Sequence, residues 1–352
     1  MSSSPLPPLY DRWITELAGA PTAGEAAATC GDCAMVEPGP GLQGYDPVTK
    51  CCTYTPTLPN YLVGAALADD RLDELGGRDS LRRRIQARAG VTPLGLAQPP
   101  TVKLIAGHAQ PAFGKAPRLM CEHYHAATGQ CGIWLHRNAV CSTWFCKHDR
   151  GAVGLVFWHA LRDLLLHVEH ELSRHCVLEL DAPYQPTSPD PAKSGPAPLT
   201  AHDLDGTVPD AEYAKRWGAW TGRELELYAR CDALVRDLSW SDLQQIAGPE
   251  LGLLARELAR FRARREQPGV VPAALTLRRL EVLRDGDPVT VATYSGTDPI
   301  AIPTALLRIL PVFRGQPIAE ARQELATLDV DLDDDLLAHL VDYDVLADPR
   351  EP

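Results

Sequence analysis

CEHYHAATGQCGIWLHRNAVCSTWFCKHDRGAVGLVFWHALRDLLLHVEHELSRHC, residues 121–176, passes from a cysteine-rich stretch straight into a long helix. From Gly154 to His175, apolar residues recur at Leu155, Val156, Trp158, Leu161, Leu164, Leu165, Val168 and Leu172. Their period is close to that of an α-helix, with Arg162, Asp163, Glu169 and Arg174 assigned to the opposite side. The first half carries Cys121, Cys131, Cys141 and Cys146 and has no sustained period. The expected architecture is therefore mainly α, with an irregular Cys-rich metal-binding domain supported by helices.

Toward the N-terminus, four more cysteines appear: Cys30, Cys33 and the adjacent Cys51 and Cys52. Residues 34–50 carry Pro and Gly throughout and read as a loop between ligands. Helices are expected around Leu9–Leu17, over Leu58–Leu75 after Pro59-Asn60, and over Ser80–Arg88. Residues 90–118 are rich in Pro and Gly, with a short strand expected over Val102–Ile105. The chain divides into an N-terminal segment (1–25), a Cys-cluster domain (26–180), a Pro-rich linker (181–200), a helical region (201–270) and a C-terminal module (271–352).

The linker, DAPYQPTSPDPAKSGPAP at 181–198, has a composition that does not pack. Beyond it, Pro209–Leu238 and Ser239–Arg265 read as helices. Leu277–Leu283 and Val289–Tyr294 flank Asp285-Gly286, a hairpin signal. Short helices are expected at Pro303–Phe313, Pro317–Leu328 and Asp333–Leu340. A strand pair followed by such helices gives a winged-helix-like α+β module. Asp329, Asp331, Asp333, Asp334 and Asp335 would repel phosphate, so contact with a protein is the expected role there.

The whole chain has 352 residues and a net charge of −12. A phosphate-held nucleic-acid binder needs clustered Lys and Arg, so nucleic acid is not an expected partner. The basic run Arg82-Arg83-Arg84 with Arg88 reads as a solvated helix face. The N-terminus has Asp11, Arg12 and Glu16 where a signal peptide is apolar, and no uninterrupted apolar run reaches membrane-span length. A cytoplasmic protein without membrane partners is expected. Clustered cysteines there read as metal ligands rather than the five disulfides of a secreted protein.

Two groups of four thiols match the appetite of zinc and iron–sulfur sites for about four soft ligands each. The Cys30-x2-Cys33 spacing lets two thiolates close around one metal. Neighbouring side chains in extended chain point to opposite sides, so Cys51-Cys52 suits two metals or a cluster better than one simple zinc. The candidate metal ligands are Cys30, Cys33, Cys51, Cys52, Cys121, Cys131, Cys141 and Cys146. Trp134, Trp144 and Phe145 are expected to shield the site. Glu122, His123, His125, His136 and His148 are candidates to add or exchange as ligands.

CGIWLHRNAVCSTWFC, residues 131–146, resembles the second half of the YkgJ-type cysteine-cluster proteins, a family described as zinc- or iron-chelating. Cys131, Ile133, Arg137, Cys141, Phe145 and Cys146 occupy matching positions, while Trp134 replaces a usual Tyr and Asn138 a usual Pro. The likeness covers residues 30–150, with a longer gap between Cys33 and Cys51-Cys52 than the family has. That family is similar to the flagellin lysine methylases, whose activity is associated with an iron–sulfur cluster. The resemblance thus implies an iron–sulfur cluster, with zinc as the alternative cofactor, and an enzyme that modifies a protein or peptide by reactions such as lysine methylation. A zinc-stapled interaction protein and a metal sequestration or delivery protein are the other readings. No catalytic residue is assigned, and no methyl-donor loop or nucleophile elbow stands out.

His167, His170, Glu171 and His175 in HVEHELSRHC have the helical spacing of a metal pair, but a polar helix face ending in His also accounts for them. Cys176 and Cys231 read as small buried residues. The aromatic stretch Trp217–Tyr228 reads as packing between helices, with a pocket wall or partner contact as the alternative.

Overall fold

The computed structural model describes residues 4–26, 30–37, 44–99, 101–103, 105, 112–184, 208–267 and 269–350. The fold is mainly α with several small sheets. Two compact units are each assembled from separated stretches. The first comprises Met1–Gly24, Gly44–Trp144 and Arg162–Ala255, and the second Glu25–Gln43, Phe145–Leu161 and Arg256–Pro352. The Cys-rich span thus contributes to both. The proposed linker falls almost wholly within residues 185–207, outside the described residues.

The helices of the first unit are α1 (Pro8–Ala18), α2 (Asn60–Ala68), α3 (Gly77–Gln86), α4 (Ala139–Thr143), the later part of α5 (Gly151–Glu179), α6 (Asp210–Trp217), α7 (Glu224–Val235) and the earlier part of α8 (Trp240–Glu266). Its strands are two-residue pieces: β1 (Leu58–Pro59), β2 (Val91–Thr92) and β3 (Gly95–Leu96) in the order β1-β3-β2, and the hairpin β4 (Tyr124–His125) with β5 (Gln130–Cys131). α2 is apolar nearly all round and buried, as a core helix should be. It lies so close to α7 that a Cβ at Gly64 would sit 2.0 Å from the Tyr228 carbonyl oxygen. Only glycine permits that approach. Trp217 and Tyr228 are fully buried, with ring centroids 5.9 Å apart, so the aromatic stretch packs between helices.

Several expectations change for local reasons. The helix expected to reach Leu75 ends at Ala68, because Asp69 turns extended and its side chain caps the single turn Asp70–Leu72. No strand forms at residues 102–103; residues 101–103 are helical, and the Lys103 N–H bonds to the Pro99 carbonyl at 2.9 Å. The helix expected over 209–238 is interrupted at Gly218 and Gly222, both with positive φ. α8 is broken at Gly248 (φ 72°, ψ −167°), followed by Pro249, which has no N–H to continue the ladder. Of the basic run, Arg82 pairs with Asp79 on the surface, whereas Arg84 is buried and donates to the Ala89 and Ala97 carbonyls.

α5 is longer than its periodic core and spends its apolar stripe on burial. By length and composition it is apolar enough to cross a membrane, but 56% of its most apolar window lies inside the protein. Glu169, expected on the polar side, is instead buried at 6% exposure. It sits one turn after Leu165 and nearly one before Leu172, within the stripe itself.

In the second unit, β6 (Ala274–Leu277) pairs with β11 (Leu346–Ala347) on one side and β10 (Arg314–Pro317) on the other. A second sheet holds β7 (Glu281–Arg284), β8 (Val289–Ala292) and β9 (Ile300–Ile302) in antiparallel order. The expected hairpin around Asp285-Gly286 is present, but Leu277 belongs to the other sheet. Three short helices follow: Thr304–Ile309 (α9), Ile318–Ala326 (α10) and Asp334–Asp342 (α11). Leu275, Val291, Leu310, Phe313, Leu337 and Leu346 form the core beneath them. Part of the acidic run is a helix start: Asp333 accepts from the Leu336 N–H at 2.7 Å, and Asp334 and Asp335 occupy the first turn of α11.

Candidate metal centre

In the first unit, Cys51, Cys52, Cys121, Cys131 and Cys141 lie near enough to influence one another's ionisation. Each arrives by a different local device. Asp46 Oδ1 accepts from the Val48 and Thr49 N–H groups at 2.8 and 3.1 Å, and Lys50 takes a positive φ of 51°. That tight turn delivers Cys51 and Cys52. The Cys52 carbonyl then accepts from the Cys121 N–H at 2.8 Å, joining the two cysteine-rich segments. Cys131 stands opposite Tyr124 in the β4–β5 hairpin. Cys141 lies in α4, where its N–H donates to the capping Asn138 Oδ1 at 3.0 Å. Asn138, where the family resemblance has Pro, is thus a helix cap.

The thiols feel one another's charge. Cys51 is drawn down to about 7 by a hydrogen bond with Cys52, assisted by Lys50 and Arg137. The Cys52 thiol is pushed up by the same bond, so Cys51 is the member of the pair that ionises first. Burial raises Cys121 to about 12, and burial also raises Cys131 and Cys141. The charges of Cys121, Cys131 and Cys51 push Cys141 further up, while Arg137 opposes them. A set of thiols that resist ionising separately is what a cation overcomes, since its charge stabilises all the thiolates at once. Thiols are the donor type that a thiophilic metal or cluster uses. As they stand, no three His, Cys, Asp or Glu side chains among the described residues are set to hold a metal ion.

Cys30, Cys33 and Cys146 belong to the second unit. Cys30 is exposed, and Cys33 and Cys146 are half-buried. The Cys33 carbonyl accepts from the Val36 N–H at 3.0 Å, and the Cys146 carbonyl from Thr297 Oγ1 at 3.1 Å. The next residues are anchored in the same unit: Asp298 accepts from the His148 N–H at 3.1 Å and from the Tyr294 hydroxyl.

No family model, curated protein or solved structure matches the chain. The resemblance to the YkgJ-type proteins therefore rests on its motif alone.

The expected aromatic shield is not formed by both tryptophans. Trp134 and Trp144 are 40% and 46% exposed, although Trp144 stacks edge-on with Phe113 at 5.5 Å. Phe145 does pack, against Trp158 at 4.4 Å in the second unit. Several candidate extra ligands are engaged elsewhere. His123 Nδ1 lies 2.8 Å from Ser80 Oγ, and burial pushes its pKa down to about 3. His136 bonds Asp69 at 2.8 Å, His125 bonds Thr128 at 2.9 Å, and Glu122 lies 3.1 Å from Arg84. On α5, His167 Nε2 is 3.1 Å from the Ala247 carbonyl oxygen, while His170 pairs with Glu171. Cys176 and Cys231 are fully buried, with the Cys176 thiol 3.7 Å from the Cys231 carbonyl oxygen.

Two buried side chains, Arg137 and Glu169, tie the segment before and at the start of α4 to its surroundings. Arg137 is buried beneath Trp134. Glu169 Oε1 accepts from the Ala139 N–H at 2.5 Å, holding the start of the cysteine-bearing α4, and from the Tyr10 hydroxyl. A carboxyl in the apolar stripe of a helix was the available signal.

Burial raises Glu169 from 4.5 to about 7, against the opposing effect of its hydrogen bonds. Burial raises Tyr10, Tyr61 and Tyr54 above 10, and negative charge on Glu169 disfavours their ionisation further. The fold therefore favours protonated Glu169. Its contribution is complete below the unfolded value and is lost as pH rises through about 7. Between pH 5 and 8, that loss should amount to roughly 3 kcal/mol. Denaturation of the wild type and Glu169→Gln at both ends of this window should give changes in stability that differ by that amount. Parallel slopes would show that Glu169 is already ionised in the fold.

Proposed function

We propose that this chain is a metal-binding protein that holds an iron–sulfur cluster or two metal ions on cysteine thiolates. The observation that supports the reading is that Cys51, Cys52, Cys121, Cys131 and Cys141, up to 90 residues apart in sequence, lie in one unit near enough to affect one another's ionisation. Five thiols exceed what one tetrahedral ion uses, and the adjacent Cys51-Cys52 pair favours a cluster or a second metal. Cys30, Cys33 and Cys146 are the further thiolates of the proposed ligand set. A reducing, cytoplasmic setting goes with this reading, because the thiols must stay unoxidised.

A bound iron–sulfur cluster supplies a redox centre whose potential responds to hydrogen bonds and charge around its sulfurs. In the enzymatic form of the proposal, that centre supports modification of a protein or peptide, lysine methylation being the reaction the motif resemblance implies. The two-sheet C-terminal module, winged-helix-like in its run of strands and short helices, would then receive a protein partner. A zinc-stapled interaction protein is the second reading. It is favoured by the sparse regular structure around the thiols, where β4 and β5 have two residues each and α4 has five.

The test is purification without oxygen, followed by the visible spectrum and counts of iron, zinc and acid-labile sulfide per chain. A brown protein with iron and sulfide supports the cluster, and a colourless one with about two zinc ions supports the staple. A protein that emerges metal-free and takes up neither metal on reconstitution contradicts both.

A further inference from the structure

Cys176, near the end of α5, and Cys231, in the middle of α7, lie 55 residues apart in sequence, and neither has any exposed surface. The Cys176 thiol is 3.7 Å from the Cys231 carbonyl oxygen, and the two thiols are hydrogen-bonded to each other. Two sulfurs from separate helices therefore meet inside the first unit.

The backbone on either side holds them there. One turn before Cys176, the Ser173 carbonyl accepts from Asn60 Nδ2 at 3.1 Å, and one turn after it the Leu180 carbonyl accepts from Trp220 Nε1 at 3.2 Å. One turn before Cys231, the Tyr228 hydroxyl donates to the Thr92 carbonyl at 2.7 Å. α2 carries Asn60 and also presses on α7 at Gly64, so α5, α2 and α7 are fixed as a group. Packing alone asks for a small side chain at each place and does not ask for sulfur at both. A disulfide asks for both sulfurs, on elements already held side by side, with closure from hydrogen-bond distance to about 2 Å.

We infer that Cys176 and Cys231 are a redox-modification site, closing to an intramolecular disulfide that staples α5 to α7 when the protein meets a hydroperoxide. The peroxide oxidises one thiol to a sulfenic acid as its O–O bond breaks and water or an alcohol leaves. The other sulfur attacks the sulfenic sulfur, the S–S bond forms, and the sulfenic oxygen departs as water with the second thiol's proton. Two electrons pass from the thiols to the peroxide. Enclosure acts in both directions. The bond to Cys176 and burial push the Cys231 thiol up, which slows its attack, and the finished disulfide is shielded from thiol reductants in turn. The pair thus responds to strong oxidation, after exposed thiols such as Cys30 have reacted.

The experiment treats reduced full-length protein with hydrogen peroxide, at the highest dose that preserves its near-UV circular dichroism. Remaining thiols are then blocked in denaturant, and the unreduced peptides are mapped by mass spectrometry. The expected product is a peptide pair joining Cys176 to Cys231, about 2 Da lighter than its reduced parts and separated by reductant. Oxidation should raise the thermal midpoint of the wild type by about 5–10 °C relative to its effect on Cys231→Ala, which keeps every other cysteine. Cys176→Ser, which retains a donor for the Cys231 carbonyl, should match Cys231→Ala. Recovery of both residues as blocked thiols, or as sulfinic or sulfonic acids, in samples where Cys30 has been consumed overturns the inference. So does a midpoint that rises no more in the wild type than in Cys231→Ala. Both cysteines lie outside the proposed metal-ligand set, so neither outcome touches the metal-binding reading.

Discussion

Cys51→Ser and Cys141→Ser are each expected to remove at least half of the bound metal and to lower the stability of the first unit by several kcal/mol. Of the adjacent pair, Cys51 is the thiol that ionises first, through its bond with Cys52. Cys141 enters on α4, whose start is held by Asn138 and Glu169, so its thiol is presented by a rigid element. Serine preserves the size of each side chain and removes the soft donor, leaving metal affinity as the property that changes most. Cys231→Ala is the control. That thiol is fully buried between helices, and its loss should cost about 1 kcal/mol in packing with no change in metal. Metal counts by mass spectrometry, together with denaturation of the same samples, separate the outcomes. Full metal in all three variants would show that the ligands have been assigned wrongly.

In the second unit, Glu25→Ala is expected to cost about 3–5 kcal/mol, the loss typical of breaking a buried charge pair from one side. The Glu25 side chain has no exposed surface. Its Oε1 accepts from Arg265 Nη2 at 2.9 Å and from the Trp158 indole N–H, while Oε2 accepts from the Asp149 N–H at 2.5 Å. One carboxyl thus ties together three separated stretches of that unit. Removing it leaves an indole and a backbone donor without this acceptor and deprives the Arg265 guanidinium of this counter-charge. Glu25→Gln keeps the oxygen and should cost less. Asp149 and Trp158 both bond to Glu25, so hydrogen exchange over residues 149–160 is a local readout. A change below about 1 kcal/mol in Glu25→Ala would show that the network is dispensable.

Much of the fold is legible in the residues. Apolar period marks α5, and Pro or Asp at the start of α9, α10 and α11 marks three short helices. Asp285-Gly286 marks the β7–β8 turn. Breaks are harder to read: Gly218, Gly222 and Gly248 end helices through positive φ, which composition alone does not distinguish from a tolerated helical glycine. Glu169 takes the buried side of α5, where polarity alone points to solvent. Its partners, Ala139 and Tyr10, come from distant parts of the chain.

The cysteines show the same limit. Spacing divides them into Cys30, Cys33, Cys51 and Cys52 on one side and Cys121, Cys131, Cys141 and Cys146 on the other. The chain path regroups them, because the Cys52 carbonyl meets the Cys121 N–H, while Cys30, Cys33 and Cys146 belong to the other unit. Long-range backbone pairing of that kind leaves no periodic trace. Arg137 lies within the motif, yet its bonds to the Trp134, Cys141 and Pro5 carbonyls emerge only once the segments fold together.

X-ray absorption at the metal edge of the anaerobically purified protein addresses the thiolate centre most directly. A shell of about four sulfurs near 2.3 Å per metal, depleted in Cys51→Ser and Cys141→Ser, is the predicted result. A shell of nitrogen and oxygen only, or a sulfur shell unchanged in both variants, would contradict a centre built on these cysteines.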